Sequence, residues 1–227
     1  ELIIKGAYNE ALLIAPGVGV TTVPVYQEAL ADLNQKLRFV LLGATAGALL
    51  GTLSIPSFVT SFSNAINAFG RTGSVFRVIP LILLSFLKPR SGILKIRMSS
   101  PATLRELIGR RMATPWSFLL WNMFSYSLWT SNVLAGLYAG ALFPEFRGTA
   151  IMMAAIVGNA AIVVNVMMVD PVLAVVTDAV ARGDKPEAEL KQIIFLLAIS
   201  NLLGTILAQA IFEPVARGLM ILTRWVA

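Results

Sequence analysis

Four stretches of the chain run apolar for twenty residues or more without a charged side chain: Phe39–Phe58, Trp116–Phe143, Thr149–Val169 and Ile193–Phe212. Each is long enough to cross a bilayer core of about 30 Å as a helix. None alternates polar and apolar residues as a barrel strand would, and their leucine, alanine and methionine content favours helix. Ala11–Val25 is apolar but broken by Pro16, Gly17, Gly19 and Pro24, and Val75–Leu87 carries Arg77 and Pro80, so the latter reads as an interfacial or re-entrant piece. Between the spans the pattern stays helical. Phe58, Phe62, Ile66 and Phe69 recur at helical spacing beyond Pro56, which predicts an amphipathic continuation of the first span past a kink. Ser100-Pro101 and Asp170-Pro171 both read as an N-cap followed by the first helical residue, and Gly183 as the stop of the second of these helices. After Pro214, Leu219, Leu222 and Trp225 with two arginines predict a membrane-surface anchor. The pattern predicts an all-α, polytopic membrane protein: one transmembrane domain over residues 1–227, with four clear spans and amphipathic interfacial helices.

Composition agrees. Hydrophobic residues make up 57% and charged residues 13% of the 227 residues, and mean hydropathy is +0.78; soluble domains carry about 25% charged residues. Cysteine and histidine are absent. That removes disulfides, thiolate metal sites, a cysteine nucleophile and the usual general base. No basic segment precedes a short apolar run, so no signal peptide is expected.

The cations set an orientation. Residues 59–115 hold nine (Arg71, Arg77, Lys88, Arg90, Lys95, Arg97, Arg105, Arg110, Arg111) against one acid, Glu106, and residues 170–192 hold three. The other side holds six: Lys5, Lys36, Arg38, Arg147, Arg217 and Arg224. Twelve against six places 59–115 and 170–192 in the cytoplasm. Both ends then face outward, which points to further N-terminal spans outside these residues.

Two stripes of small residues, Gly43–Gly47–Gly51 and Ser200–Gly204–Ala208, stand at spacings of four. Such stripes let helices approach closely; internal packing is the expected use and a homodimer seam the alternative. The second span is the most polar. Asn122, Ser125, Trp129 and Asn132 fall on one face, Ser127, Thr130 and Ser131 on another. Hydroxyls can bond their own helix carbonyls, whereas asparagines in hydrocarbon want a partner or water. Asn201, Thr205 and Gln209 form a second polar stripe in the fourth span, while Asn159 and Asn165 in the third are six apart and share no face. Asn122, Ser125, Asn132, Asn201, Thr205 and Gln209 are thus candidates for lining a hydrated cavity, with a seam of interhelical bonds as the competing reading. The cytoplasmic cations serve as topology signals and, as a group, as a basin for anionic lipid headgroups or a pyrophosphate. No carboxylate pair, metal-ligand cluster, phosphate-binding loop or nucleophile–base arrangement appears, so no enzyme, cofactor, metal or nucleic-acid partner is expected.

Two segments resemble a known family: LRFVLLGATAGALLGTLSIPSFVTSFSNAINAFGRTGSV at 37–75, and VDPVLAVVTDAVARG at 169–183 followed by LLGTILAQAIFEP at 202–214. They are similar to the Amj family of lipid II flippases, alternates to MurJ, in outline from Leu37 to the C-terminus. The family is one of small polytopic proteins of the bacterial inner membrane with about six spans, so its first spans are expected to be absent or altered here. The resemblance implies translocation of undecaprenyl-pyrophosphate-linked peptidoglycan precursor, lipid II, from the inner to the outer leaflet. Arg71, Arg77, Arg110 and Arg111 would then form the cationic entrance, and the two polar stripes the groove for the headgroup. The alternatives are a small-solute transporter or channel using the same stripes, and a membrane scaffold binding anionic lipid.

Overall fold

The computed structural model of the protein describes residues 2–14, 19–72 and 115–226, with side chains from 4–14, 19–55 and 115–226. Every element among them is helical: α1 (Leu2–Ile14), a 3-10 turn (Val20–Thr22), α2 (Pro24–Thr72), α3 (Ser117–Leu142), a 3-10 turn (Pro144–Phe146), α4 (Arg147–Met168), α5 (Asp170–Ala181) and α6 (Glu187–Val226). Arg77, Arg110 and Arg111, the Val75–Leu87 piece and the helix opened by Ser100-Pro101 lie outside the described residues. Arg71 falls in the last turn of α2, its side chain outside them.

Three segments are long and apolar enough to cross a membrane: Pro24–Ile55, Pro144–Ala181 and Glu187–Val226. The protein is therefore an all-α polytopic membrane protein. α3, with 26 residues, is about 39 Å long, but its amides and hydroxyls lower its hydropathy. Its position accounts for that. α3 packs most extensively on α6 and α4, and Phe118, Asn122, Ser125, Ser127, Ser131, Asn132 and Ala139 around its circumference are all buried. The large side chains that it leaves exposed, Leu120, Trp121, Phe124, Trp129 and Val133, are apolar or aromatic, so its buried amides and hydroxyls need not face lipid. The polar helix is the central one.

Small residues make the close packing. α4 turns Ala150, Ala154, Gly158 and Ala161 to α3. A Cβ on Gly136 of α3 would stand 2.6 Å from the Ala154 Cβ. On α6, Ser200, Gly204 and Ala208 are buried, and a Cβ on Gly204 would lie 2.8 Å from the Met123 carbonyl oxygen. The α6 stripe is thus an internal seam. The α2 stripe is not: among the described residues nothing lies within 4 Å of a Cβ built on Gly43, Gly47 or Gly51. Among the described residues that face is open, where internal packing was expected.

Two further expectations shift. Asp170 is the first residue of α5 and makes no side-chain capping bond, because α4 leads into α5 through the helical Val169, whose N–H bonds the Asn165 carbonyl at 2.9 Å. The C-terminal segment is no separate anchor. α6 continues through Pro214 to Val226, and Leu219 and Ala216 are buried in the core with Phe212, although Leu222 and Trp225 are exposed. As the spacing of Phe58, Phe62, Ile66 and Phe69 predicts, α2 continues past Pro56, to Thr72. Gly183 does end α5, at φ +81, with the Asp184 N–H returning to the Ala179 carbonyl at 2.9 Å. The face Val169, Leu173, Val176 and Val180 of α5 packs beside Phe118, Leu119, Ile193 and Leu196, tying the starts of α3 and α6 together.

Candidate functional site: polar stations along the central helix

The polar groups of α3 divide into three sets. Ser127, Thr130 and Ser131 donate to the carbonyls of Phe124, Tyr126 and Ser127 at 2.7, 2.8 and 2.9 Å. These hydroxyls are satisfied within their own helix.

The second set faces α6. The Asn122 Nδ2 donates to Asn201 Oδ1 at 2.7 Å and to Ser200 Oγ at 3.1 Å, and Ser200 Oγ donates to the Leu119 carbonyl at 2.6 Å. The two polar stripes meet here, side chain to side chain. Thr205, one turn further along α6, is buried and donates to the Leu202 carbonyl at 2.7 Å.

The third set faces α4. Ser125 Oγ donates to the Ala161 carbonyl at 2.5 Å. Beside it opens a cleft of about 230 Å³ lined by Ser125, Tyr126, Trp129, Ala161, Ile162 and Asn165. Trp129 is half exposed at 51%. The Asn165 Oδ1 is buried, and none of the described residues donates a hydrogen bond to it. Asn132 lies further along this side, with its Oδ1 taking the Val133 N–H and its amide against Gly158. Asn159 is exposed on the other side of α4.

Another station joins α6 to α2. The Gln209 Nε2 donates to the Arg38 carbonyl at 3.1 Å, and Arg38 Nη1 donates to the Gln209 carbonyl at 2.9 Å. Arg38 also donates from Nε to Asn34 at 2.7 Å, pairs with Glu213 at 3.4 Å, and lies over the Phe212 ring. Glu213 accepts from Arg217 at 2.6 Å. Eight residues separate Asn201 from Gln209, about 12 Å along α6.

Of the six polar candidates, the structure joins Asn122 to Asn201, turns Ser125 and Asn132 to α4, and sets Thr205 and Gln209 along α6. Asn165, Ser200, Arg38, Glu213 and Arg217 were not among the candidates. Asn165 was passed over because it shares no face with Asn159; its partners lie on α3, which spacing within α4 does not disclose. Arg38 and Glu213 flank the first and fourth spans in the sequence, and only knowing that α2 and α6 are neighbours pairs them.

A bundle of membrane-length helices packed around a polar central helix, with a cleft beside Ser125 and Asn165, is the architecture of a polytopic membrane protein. The chain belongs to the Amj family, alternate to MurJ, whose family model matches residues 8–223. It is similar to the lipid II flippase Amj of Bacillus subtilis (strain 168), with 34% identity over 202 residues, covering 88% of this chain and 73% of that protein. No solved structure matches it.

Proposed function

We propose that the protein is a lipid II flippase of the bacterial cytoplasmic membrane, carrying undecaprenyl-pyrophosphate-linked peptidoglycan precursor from the inner to the outer leaflet. Its likeness to the Bacillus subtilis flippase along 88% of the chain supports the substrate. The observation that carries the reading structurally is the side cleft at Ser125, Tyr126, Trp129 and Asn165, where a buried amide oxygen has no donor among the described residues. Sugars and peptide amides bring donors. An opening towards lipid lets the polyprenyl tail stay in the bilayer while the headgroup moves, and it favours a lipid substrate over a solute that needs a closed axial pore. Asn132 continues the polar side of α3 beyond that cleft, and Asn122, Asn201, Thr205 and Gln209 offer the headgroup further polar groups on the α6 side. Arg71, Arg77, Arg110 and Arg111 receive the pyrophosphate on the cytoplasmic side, as charge-assisted and bidentate donors. Translocation is a transport step and requires no catalytic residue. Should the protein work as a homodimer, the open Gly43–Gly47–Gly51 face of α2 is its seam, since the α6 stripe is occupied by α3.

The test is complementation. In a bacterium depleted of its resident lipid II flippase, expression of the chain restores wall synthesis and rod growth. Lysis at the same rate as an empty vector, with the chain correctly inserted, overturns the reading.

A further inference from the structure

Where the apolar run of α2 begins at Phe39 and that of α6 ends at Phe212, a cleft of about 430 Å³ is lined by Arg38, Ala210, Glu213, Pro214 and Arg217. We propose that this cleft binds the phosphate groups of a lipid headgroup and is the release-side counterpart of the cytoplasmic cationic entrance; the release role rests on the flippase reading, the anion site does not.

Charge comes first. Two guanidinium groups face one carboxylate, which leaves a formal charge of +1 in a cleft at the edge of the apolar spans. The named bonds take three of the five N–H donors of Arg38 and one of the five of Arg217. Glu213 lies between them, at 3.4 Å from Arg38 and 2.6 Å from Arg217. A carboxylate shared by two arginines is the arrangement a phosphate can enter by displacement, since phosphate oxygens take the same planar, bidentate donors.

Preorganisation differs between the two arginines. Arg38 is fixed by Asn34, the Gln209 carbonyl and the Phe212 ring. Arg217 makes its one named bond to Glu213 and is 67% exposed, so it can swing without disturbing the packing. One fixed and one movable guanidinium suit capture of a ligand arriving from the bilayer.

Pro214 adds an acceptor. Lacking an N–H, it gives nothing to the Ala210 carbonyl one turn back, and Ala210 lines the cleft. A phosphate that carries hydroxyl or amide donors nearby fits both kinds of group. By the distribution of Lys and Arg, the Arg38 side of the bundle faces away from the cytoplasm, with Arg71 in the last turn of α2 at the helix's other end.

The test uses the full chain in nanodiscs of neutral lipid, titrated with polyprenyl diphosphate and separately with inorganic pyrophosphate. Arg217→Gln is expected to weaken binding about tenfold, and Glu213→Gln to tighten it by removing the competing carboxylate. Opposite signs are the signature of an anion site; a purely structural Glu213–Arg217 pair would show no gain in either variant. Binding of polyprenyl diphosphate with the expected signs, with or without pyrophosphate binding, supports the lipid headgroup. Binding of pyrophosphate alone overturns the lipid source, and equal affinity in wild type and Arg217→Gln overturns the site. If the expected binding occurs while the wild type moves no precursor across vesicles, the flippase reading fails and the anion site stands. If Arg217→Gln binds weakly yet moves precursor at the wild-type rate, the release role is overturned.

Discussion

Arg38 of α2 and Gln209 of α6 each donate a side-chain hydrogen bond to the other's main-chain carbonyl, at 2.9 and 3.1 Å. Two helices are thereby locked at one level and in one rotation, where the uninterrupted apolar run of α2 starts and that of α6 stops. The lock has unequal halves. Gln209→Leu removes a neutral donor and is expected to cost about 0.6–1.7 kcal/mol, the range of interhelical bonds in membranes. Arg38→Ala removes a charged donor, the Glu213 pair and the stacking on Phe212 together, and is expected to cost about 1.5–3 kcal/mol. Thermal unfolding of both variants in one detergent checks the order; a larger loss for Gln209→Leu contradicts it.

The two small-residue stripes should respond in opposite ways. On Gly204 a Cβ meets the Met123 carbonyl at 2.8 Å and the Tyr126 Cβ at 3.0 Å. Gly204→Ala is therefore expected to push α6 from α3, costing about 1–3 kcal/mol. On Gly47 a Cβ meets nothing within 4 Å among the described residues, and Gly47→Ala is expected to keep or raise stability, by up to about 1 kcal/mol from the helix propensity gained. Equal losses would mean that the α2 face is packed against protein.

These stripes also show how far the sequence could be read. Helical class and the stop at Gly183 follow from apolar length and backbone chemistry, which are local properties. So does the self-bonding of Ser127, Thr130 and Ser131, because each acceptor lies three or four residues back on the same helix. What a stripe faces is not local. Gly43–Gly47–Gly51 and Ser200–Gly204–Ala208 have the same spacing, yet one is open and the other buried, because that depends on which helix stands beside it. Asn165 and Ser125 line one cleft, and Arg38 and Gln209 form one lock, across sequence separations that periodicity within a single helix cannot span. Asn122 and Asn201 were both legible as costly amides; their direct contact was not.

Orientation is open to direct labelling in a chain with no native cysteine. Cysteines at Ser91 and Lys185 are expected to be protected from an impermeant thiol reagent in intact cells, and one at Glu145, exposed in the turn before α4, to react. Reaction at position 91 would invert the bundle and place the Arg38–Arg217 cleft on the cytoplasmic side.

The sharpest separation between packing and transport lies in two asparagines. Asn122 makes two interhelical bonds, to Ser200 and Asn201. Asn122→Leu breaks both and leaves the Asn201 Oδ1 without that donor, so it is expected to lose about 1–2 kcal/mol of stability. Asn165 is the reverse case. Its Oδ1 is buried with no hydrogen-bond partner among the described residues, a state that costs about 1–3 kcal/mol relative to a satisfied or absent polar group. Asn165→Leu removes that oxygen and is expected to keep or raise the melting temperature. If the cleft receives a polar headgroup, the same change takes away an acceptor that the substrate uses, and translocation of a fluorescent lipid II analogue in vesicles should fall severalfold. Asn165→Asp keeps the oxygen and the size but adds a charge unfavourable to a pyrophosphate lipid, and is expected to lower translocation as well. A variant Asn165→Leu that is both as stable and as active as wild type would remove the side cleft from the transport path.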